Sequence, residues 1–142
     1  MGGAIPSQAE MRDTLAARHG QALQARLEKA CVAVCGLGGL GSNIAIALAR
    51  AGVGQLHLFD FDRVDISNLN RQQYFIRQLG QFKTEALRDN LKEIAPYTDF
   101  TTSTVRVTEE NIPAVADATF LLPVGYRTLT RDEVIAILKE SL

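Results

Sequence analysis

The sequence has few of the features that would assign it to a specialised class. It contains no tryptophan and only two cysteines, Cys31 and Cys35, in 142 residues. Four positions apart in one apolar run, these two share a strand face but stand too far apart along it for a disulfide. They form no Cys-x-x-Cys pair, and there is no second pair to complete a zinc site, so both are expected to be small core residues. Charge of one sign is also missing. Fifteen Lys and Arg stand against sixteen Asp and Glu, a formal charge of −1, which gives no reason to expect nucleic acid or a membrane surface as partner. No apolar run approaches the ~20 residues of a membrane span, and no signal peptide precedes the first helical stretch, so a cytoplasmic setting is expected. Repeats and low-complexity linkers are absent. A chain of this length fits one domain, 1–142, and with 46% hydrophobic residues it can bury a real core.

What the sequence does have is one stretch around which the rest is organised, Val32-Ala33-Val34-Cys35-Gly36-Leu37-Gly38-Gly39-Leu40-Gly41-Ser42. An apolar run reading as a buried strand enters a glycine-rich turn, and an alanine-rich helix leaves it to about Ala51. The spacing Gly36-x-Gly38-x-x-Gly41 fits the dinucleotide-type fingerprint, whose glycines turn tightly, let the backbone approach a phosphate and seat the helix on the sheet. Gly39 makes the turn barer still. The helix N-terminus carries about half a positive charge and free N–H groups, so an anion is its natural occupant. Asp60 ends the next apolar run, nineteen positions after Gly41, where a carboxylate can accept ribose hydroxyls. At this point NAD enzymes and ATP-dependent adenylating enzymes fit equally well.

Taken in order, residues 7–30 read as an amphipathic helix that Gly20 interrupts, with Met11, Leu15, Leu23 and Leu27 on one stripe. Strand one is expected at 31–35, a crossover helix at 40–51 stopped by Gly52, and strand two at 55–60. Residues 61–74 keep neither period and gather polar groups at the C-terminal end of a strand, where open α/β sheets place their ligands. A helix is expected at 84–94, ending before Pro96. A β-branched strand follows at 100–107, then a short helix near 109–116 disturbed by Pro113, and a further strand at 118–122. Thr130 and Glu133 make a capping box for a final helix at 130–141.

The segment after Asp60 offers a carboxylate (Asp62), amides (Asn68 and Gln72), a guanidinium (Arg71) and an ammonium (Lys83). Such a set suits a triphosphate, because the cations can stabilise charge developing on a leaving pyrophosphate while the amides fix orientation. Nicotinamide hydride transfer does not need so much positive charge beside the ribose acid. Lys83, at a helix start, opposes the helix dipole by a few tenths to about 1 kcal/mol, a cost that a bound anion reverses.

The glycine turn, followed by Asp60-Phe61-Asp62-x-Val64-x-x-Ser67-Asn68-Leu69-Asn70-Arg71-Gln72 and then Lys83-Thr84-Glu85, resembles the ThiF/MoeB/ubiquitin-activating-enzyme superfamily. The wording of 30–112 is most similar to the short ThiF-like sulfur-carrier adenylyltransferases of thiamine biosynthesis. The resemblance implies a Rossmann-like α/β fold with flanking helices, an N-terminal helical extension (1–30) and a ThiF-like core (31–118). It implies ATP and Mg²⁺ as cofactors, a ThiS-like ubiquitin-fold sulfur carrier ending in Gly-Gly as partner, and adenylation of that carboxylate with release of pyrophosphate, in a homodimer. Under it Gly36, Gly38, Gly39 and Gly41 cradle the nucleotide and Asp60 holds the ribose. Asn68, Arg71, Gln72 and Lys83 surround the phosphates, with Asp62 beside them. Arg18, with Arg12 and Arg26 as alternatives, is the candidate to reach a partner's phosphates across a dimer. Two other functions stay open, an NAD-binding oxidoreductase module and a non-catalytic carrier-binding or dimerisation fragment.

The tail departs from the pattern. Where the family has an acidic metal ligand after the strand starting near Ala118, this chain reads Phe120-Leu121-Leu122-Pro123-Val124-Gly125-Tyr126, with no acid until Asp132. The metal ligand is therefore unassigned, with Asp62 the one alternative, and 119–142 is an atypical tail lacking the C-terminal part of the family fold. A truncated or rearranged copy, or one completed by a partner, is the expectation, with ATP binding retained and pyrophosphate exchange near background.

Overall fold

The computed structural model describes residues 3–118 and 130–140. Three parallel strands form the sheet, β1 (Cys31–Cys35), β2 (Gln55–Phe59) and β3 (Asp99–Ser103), in the order β1-β2-β3. Cys31 pairs with Gln55 and Gln55 with Asp99, so the strands start flush and their C-terminal ends form one rim. Two crossovers make this order. The first runs through α3 (Gly39–Ala51), and the second through a polar segment with two 3₁₀ turns (Ile66–Asn68 and Ile76–Gln78) and α4 (Lys83–Ile94). This is the expected Rossmann-like architecture.

The local signals act where the sequence puts them. Ser7 and Glu10 close a reciprocal capping box at the start of α1 (Gln8–His19), and Gly20, at φ 94°, breaks it from α2 (Gln21–Glu28). Gly52 ends α3 in the left-handed region at φ 88°. Leu56 and Leu58 of β2, Ala45 and Ala49 of α3, and Leu87 and Leu91 of α4 fill the core between sheet and helices.

The α1–α2 hairpin packs at the end of the sheet away from the glycine turn. A Cβ on Gly52 would stand 2.8 Å from Leu15 Cδ1, the Gly54 N–H donates to the Leu27 carbonyl at 2.9 Å, and the Tyr97 hydroxyl donates to the Pro6 carbonyl. Of the apolar stripe, Met11, Leu15 and Leu27 are half-buried within the chain and only Leu23 is exposed.

Three expectations shift. Strand three ends at Ser103 rather than 107. The helix near 109–116 is α5 (Ile112–Ala118), with Pro113 in its first turn, where a missing N–H costs nothing. Cys35, expected in the core, is exposed, and Cys31 is half-buried. Among the described residues no strand pairs with the outer edge of β1, and Val34 alone of that strand is buried. The strand expected at 118–122 lies outside the described residues beyond Ala118. Helix α6 (Arg131–Glu140) starts at the Thr130–Glu133 capping box and is joined to α5 by the Arg131–Asp117 ion pair.

Candidate functional site

The site is built on the residue between the first two fingerprint glycines. Leu37 is fully buried. Its N–H donates to Asp60 Oδ2 at 2.6 Å, and its carbonyl accepts from the Tyr74 hydroxyl at 2.7 Å. The turn is thereby fixed at three points of one residue. Burial, then the charges of Asp60 and Asp62, hold the Tyr74 hydroxyl far above its ordinary pKa, so it remains a donor. Sequence reasoning missed both residues. Leu37 sat at a position the fingerprint leaves unspecified, and Tyr74 lay at the end of an aperiodic segment.

The glycines divide by function. Gly36 stands at φ 87°, a conformation other residues rarely adopt. A Cβ on Gly41 would fall 1.8 Å from the Gly36 carbonyl oxygen, so the helix closes on the turn only without one. Gly38 is different, because a Cβ there would meet nothing nearer than Gln72 Nε2 at 3.9 Å. Gly38 is also the N-cap of α3, where no side chain caps the first turn. The open space and the uncapped N–H groups together suit a phosphate.

Asp60 is 8% exposed and uses both oxygens, Oδ2 on Leu37 and Oδ1 on the Asp62 N–H at 2.7 Å. Each oxygen retains a lone pair for a further donor. Asp62 in turn pairs with Lys83, Oδ2 to Nζ 3.1 Å, the lysine side chain 7% exposed and the carboxylate 48%. Turn, Asp60, Asp62 and Lys83 are thus one connected chain of contacts at the rim. Arg71 joins from the other side: a Cβ on Gly39 would stand 3.4 Å from its Cγ, while its guanidinium donates to the Ser67 carbonyl and Asn70 Oδ1. Gln72 is buried, and its Oε1 is the one buried side-chain polar atom without a partner among the described residues. A half-turn of that amide exchanges acceptor for donor, so the position can meet either.

Two expected site residues sit elsewhere in the geometry. Asn68 uses its Oδ1 to accept from the Asp65 N–H at 3.1 Å and closes a capping box on the first 3₁₀ turn. Arg18 lies exposed in the last turn of α1, on the hairpin that packs at Gly52, the far end of α3. A helix of 13 residues is roughly 20 Å long, so neither Arg18 nor its neighbours on the hairpin approach the turn of their own chain. Among the described residues no group of three or more His, Cys, Asp or Glu is placed to hold a metal.

Comparisons with known proteins place the chain in a family. Residues 11–122 match the profile of the ThiF family. The ubiquitin-like modifier-activating enzyme 5 of Caenorhabditis elegans is 48% identical over 71 residues, half of this chain and 17% of that protein. The molybdopterin-synthase adenylyltransferase of Salmonella typhimurium is 46% identical over 88 residues, 61% of this chain and 35% of that protein. The chain therefore spans well under half the length of these curated relatives. Among solved structures, the Escherichia coli tRNA N6-threonylcarbamoyladenosine dehydratase TcdA in complex with AMP superposes with a TM-score of 0.74 at 30% identity, covering 82% of this chain and 49% of that one. The same enzyme in complex with ATP gives a TM-score of 0.76 at 28% identity over 97% of this chain and 59% of that one. A strand, glycine turn and helix that leave room for a phosphate, an acid at the end of the next strand, and a family match running from α1 past α5 lead to one assignment: the chain belongs to the ThiF family.

Proposed function

We propose that the chain binds ATP across the Gly36–Gly41 turn and serves the adenylation of a carboxylate, with release of pyrophosphate. The observation that carries this reading is the joining of two cations to an uncapped helix N-terminus: the Arg71 stem lies on Gly39, and Lys83 is tied to the turn through Asp62 and Asp60. Asp60 takes the ribose on its remaining lone pairs, and Gln72, whose Oε1 lacks a partner, gains one from the ligand. Arg71 and Lys83 meet the phosphates and contribute most as charge grows on the leaving group. Asn68 supports the segment through its cap, and a direct phosphate contact would require it to leave Asp65. Mg²⁺ supplies charge neutralisation on the triphosphate and usually takes one or two carboxylates plus phosphate and water, and Asp62 is the half-exposed carboxylate beside Lys83.

The acceptor in this reading is the C-terminal Gly-Gly carboxylate of a ubiquitin-like carrier. The sequence resemblance favours a ThiS-like carrier of thiamine biosynthesis, whereas the relatives named above carry the names of a ubiquitin-like modifier and of molybdopterin synthase. Their shared ground is the carrier class. A homodimer with Arg18 acting on the partner's nucleotide belongs to the same proposal.

Calorimetric titration with ATP and with NAD, followed by ATP–pyrophosphate exchange with and without a Gly-Gly carrier, tests it. ATP binds and NAD does not, and exchange rises with carrier only slightly above background, far below that of a full-length ThiF-like enzyme assayed beside it. Preference for NAD, no ATP binding, or exchange stimulated by tRNA and not by carrier overturns the reading. Arg71→Ala and Lys83→Ala lower exchange far more than ATP affinity, and equal losses would reassign both to ground-state binding.

A further inference from the structure

Gln73 was not among the candidate site residues, yet its hydrogen bonds join the polar segment to both α3 and α4. Its N–H donates to Ser42 Oγ at 3.2 Å, and that hydroxyl donates to the Gly38 carbonyl at 2.6 Å. Its side-chain Nε2 donates to Asn43 Oδ1 at 2.6 Å, while Asn43 Nδ2 donates to the carbonyls of Gly39 at 2.6 Å and Arg71 at 3.3 Å. Its carbonyl accepts from Asn90 Nδ2 at 2.9 Å, and Asn90 is locked in a reciprocal amide pair with the buried Gln78. Ser42 closes the first turn of α3 and Asn43 opens the second, and Asn90 stands on α4, two turns from Lys83.

We infer that Gln73 is a positioning residue which pins the Arg71–Gln72 segment between the helix that makes the phosphate cradle and the helix that carries Lys83. The inference rests on the ATP reading. Without the pin, the Arg71 side chain keeps its hydrogen bonds to Ser67 and Asn70, but the segment that carries it is no longer fixed against Gly39. A side chain held in place loses less freedom on meeting its ligand, and a triphosphate gains from that placement more than a monophosphate does, because more of its charge faces the segment.

Asn43 and Gln73 are both exposed, so alanine at either leaves the core intact. Asn43→Ala, Gln73→Ala and the double variant are titrated with ATP and with AMP, and hydrogen exchange of the 71–74 amides is followed without ligand. Each single variant loses about five- to tenfold in ATP affinity and less than twofold in AMP affinity, the double loses no more than the singles, and the 71–74 amides exchange faster. Unchanged ATP affinity, equal losses for ATP and AMP, additive losses, or unchanged exchange at 71–74 overturns the inference while the parent protein still binds ATP. A parent protein that binds no ATP overturns the nucleotide reading itself, and the inference with it.

Discussion

The unpartnered amide of Gln72 sets binding against stability. A buried acceptor without a donor costs about 1–3 kcal/mol, so Gln72→Met, of similar volume, is expected to raise the urea midpoint of the free protein while weakening ATP by a similar amount in calorimetry. Asp62 and Lys83 make a second, asymmetric case. Removing the half-exposed carboxylate leaves a buried ammonium alone, whereas removing the lysine leaves a carboxylate that water can reach. Asp62→Ala should therefore lose about 1–3 kcal/mol, more than Lys83→Met, and saturating ATP should restore part of the difference in the same denaturation experiment. Asp60, Asp62, Arg71, Gln72 and Lys83 were grouped in the sequence by their residue types, charged groups and amides gathered after the second strand, and the structure brings them to the same rim. Leu37 and Tyr74 were not, since their roles are a backbone N–H, a backbone carbonyl and a buried hydroxyl, none of which leaves a pattern in one sequence.

At the scale of the strand–turn–helix unit, the three fingerprint glycines are not equivalent. Gly41→Ala drives a methyl onto the Gly36 carbonyl and should cost more than about 3 kcal/mol of stability, with α3 lifted off the sheet. Gly38→Ala finds open space and should change stability by less than about 1 kcal/mol, while its methyl occupies the phosphate's room and lowers ATP affinity. Denaturation and titration of the two variants side by side separate these roles, and equal destabilisation would return Gly38 to a packing part. Strand and helix periods located the described strands and α-helices but neither 3₁₀ turn, and the ends moved where tertiary contacts overrode propensity. The β-branched run 104–107 did not extend β3, since β2, its pairing partner, stops at Phe59, opposite Ser103. Pro113, read as a breaker, opens a helix. Cys35 looked like core because its run is apolar, yet the coverage of a strand depends on neighbours that are remote in sequence.

For the molecule as a whole, the hairpin and the glycine turn lie at opposite ends of the sheet, so the hairpin arginines could reach a ligand at that turn only in another copy. If they do, Arg18→Ala lowers ATP affinity at protein concentrations where sedimentation velocity shows an associated form and leaves that of the monomer unchanged. A monomer at micromolar concentration would remove Arg18 from the site, and the half-burial of Met11, Leu15 and Leu27 within the chain already lessens the need for a partner to cover them. The seam between hairpin and sheet has a practical side. The Gly54 N–H rests on the Leu27 carbonyl, the Gln55 N–H on that of Ala30, and Gly54 passes so near Glu28 that a methyl would strike its carbonyl oxygen. A shortened version starting at β1 would leave the Gly54 N–H unanswered and strip cover from Leu15's seat at Gly52, whereas an affinity handle or fluorescent fusion attached ahead of Ser7 leaves from the face remote from the glycine turn of its own chain.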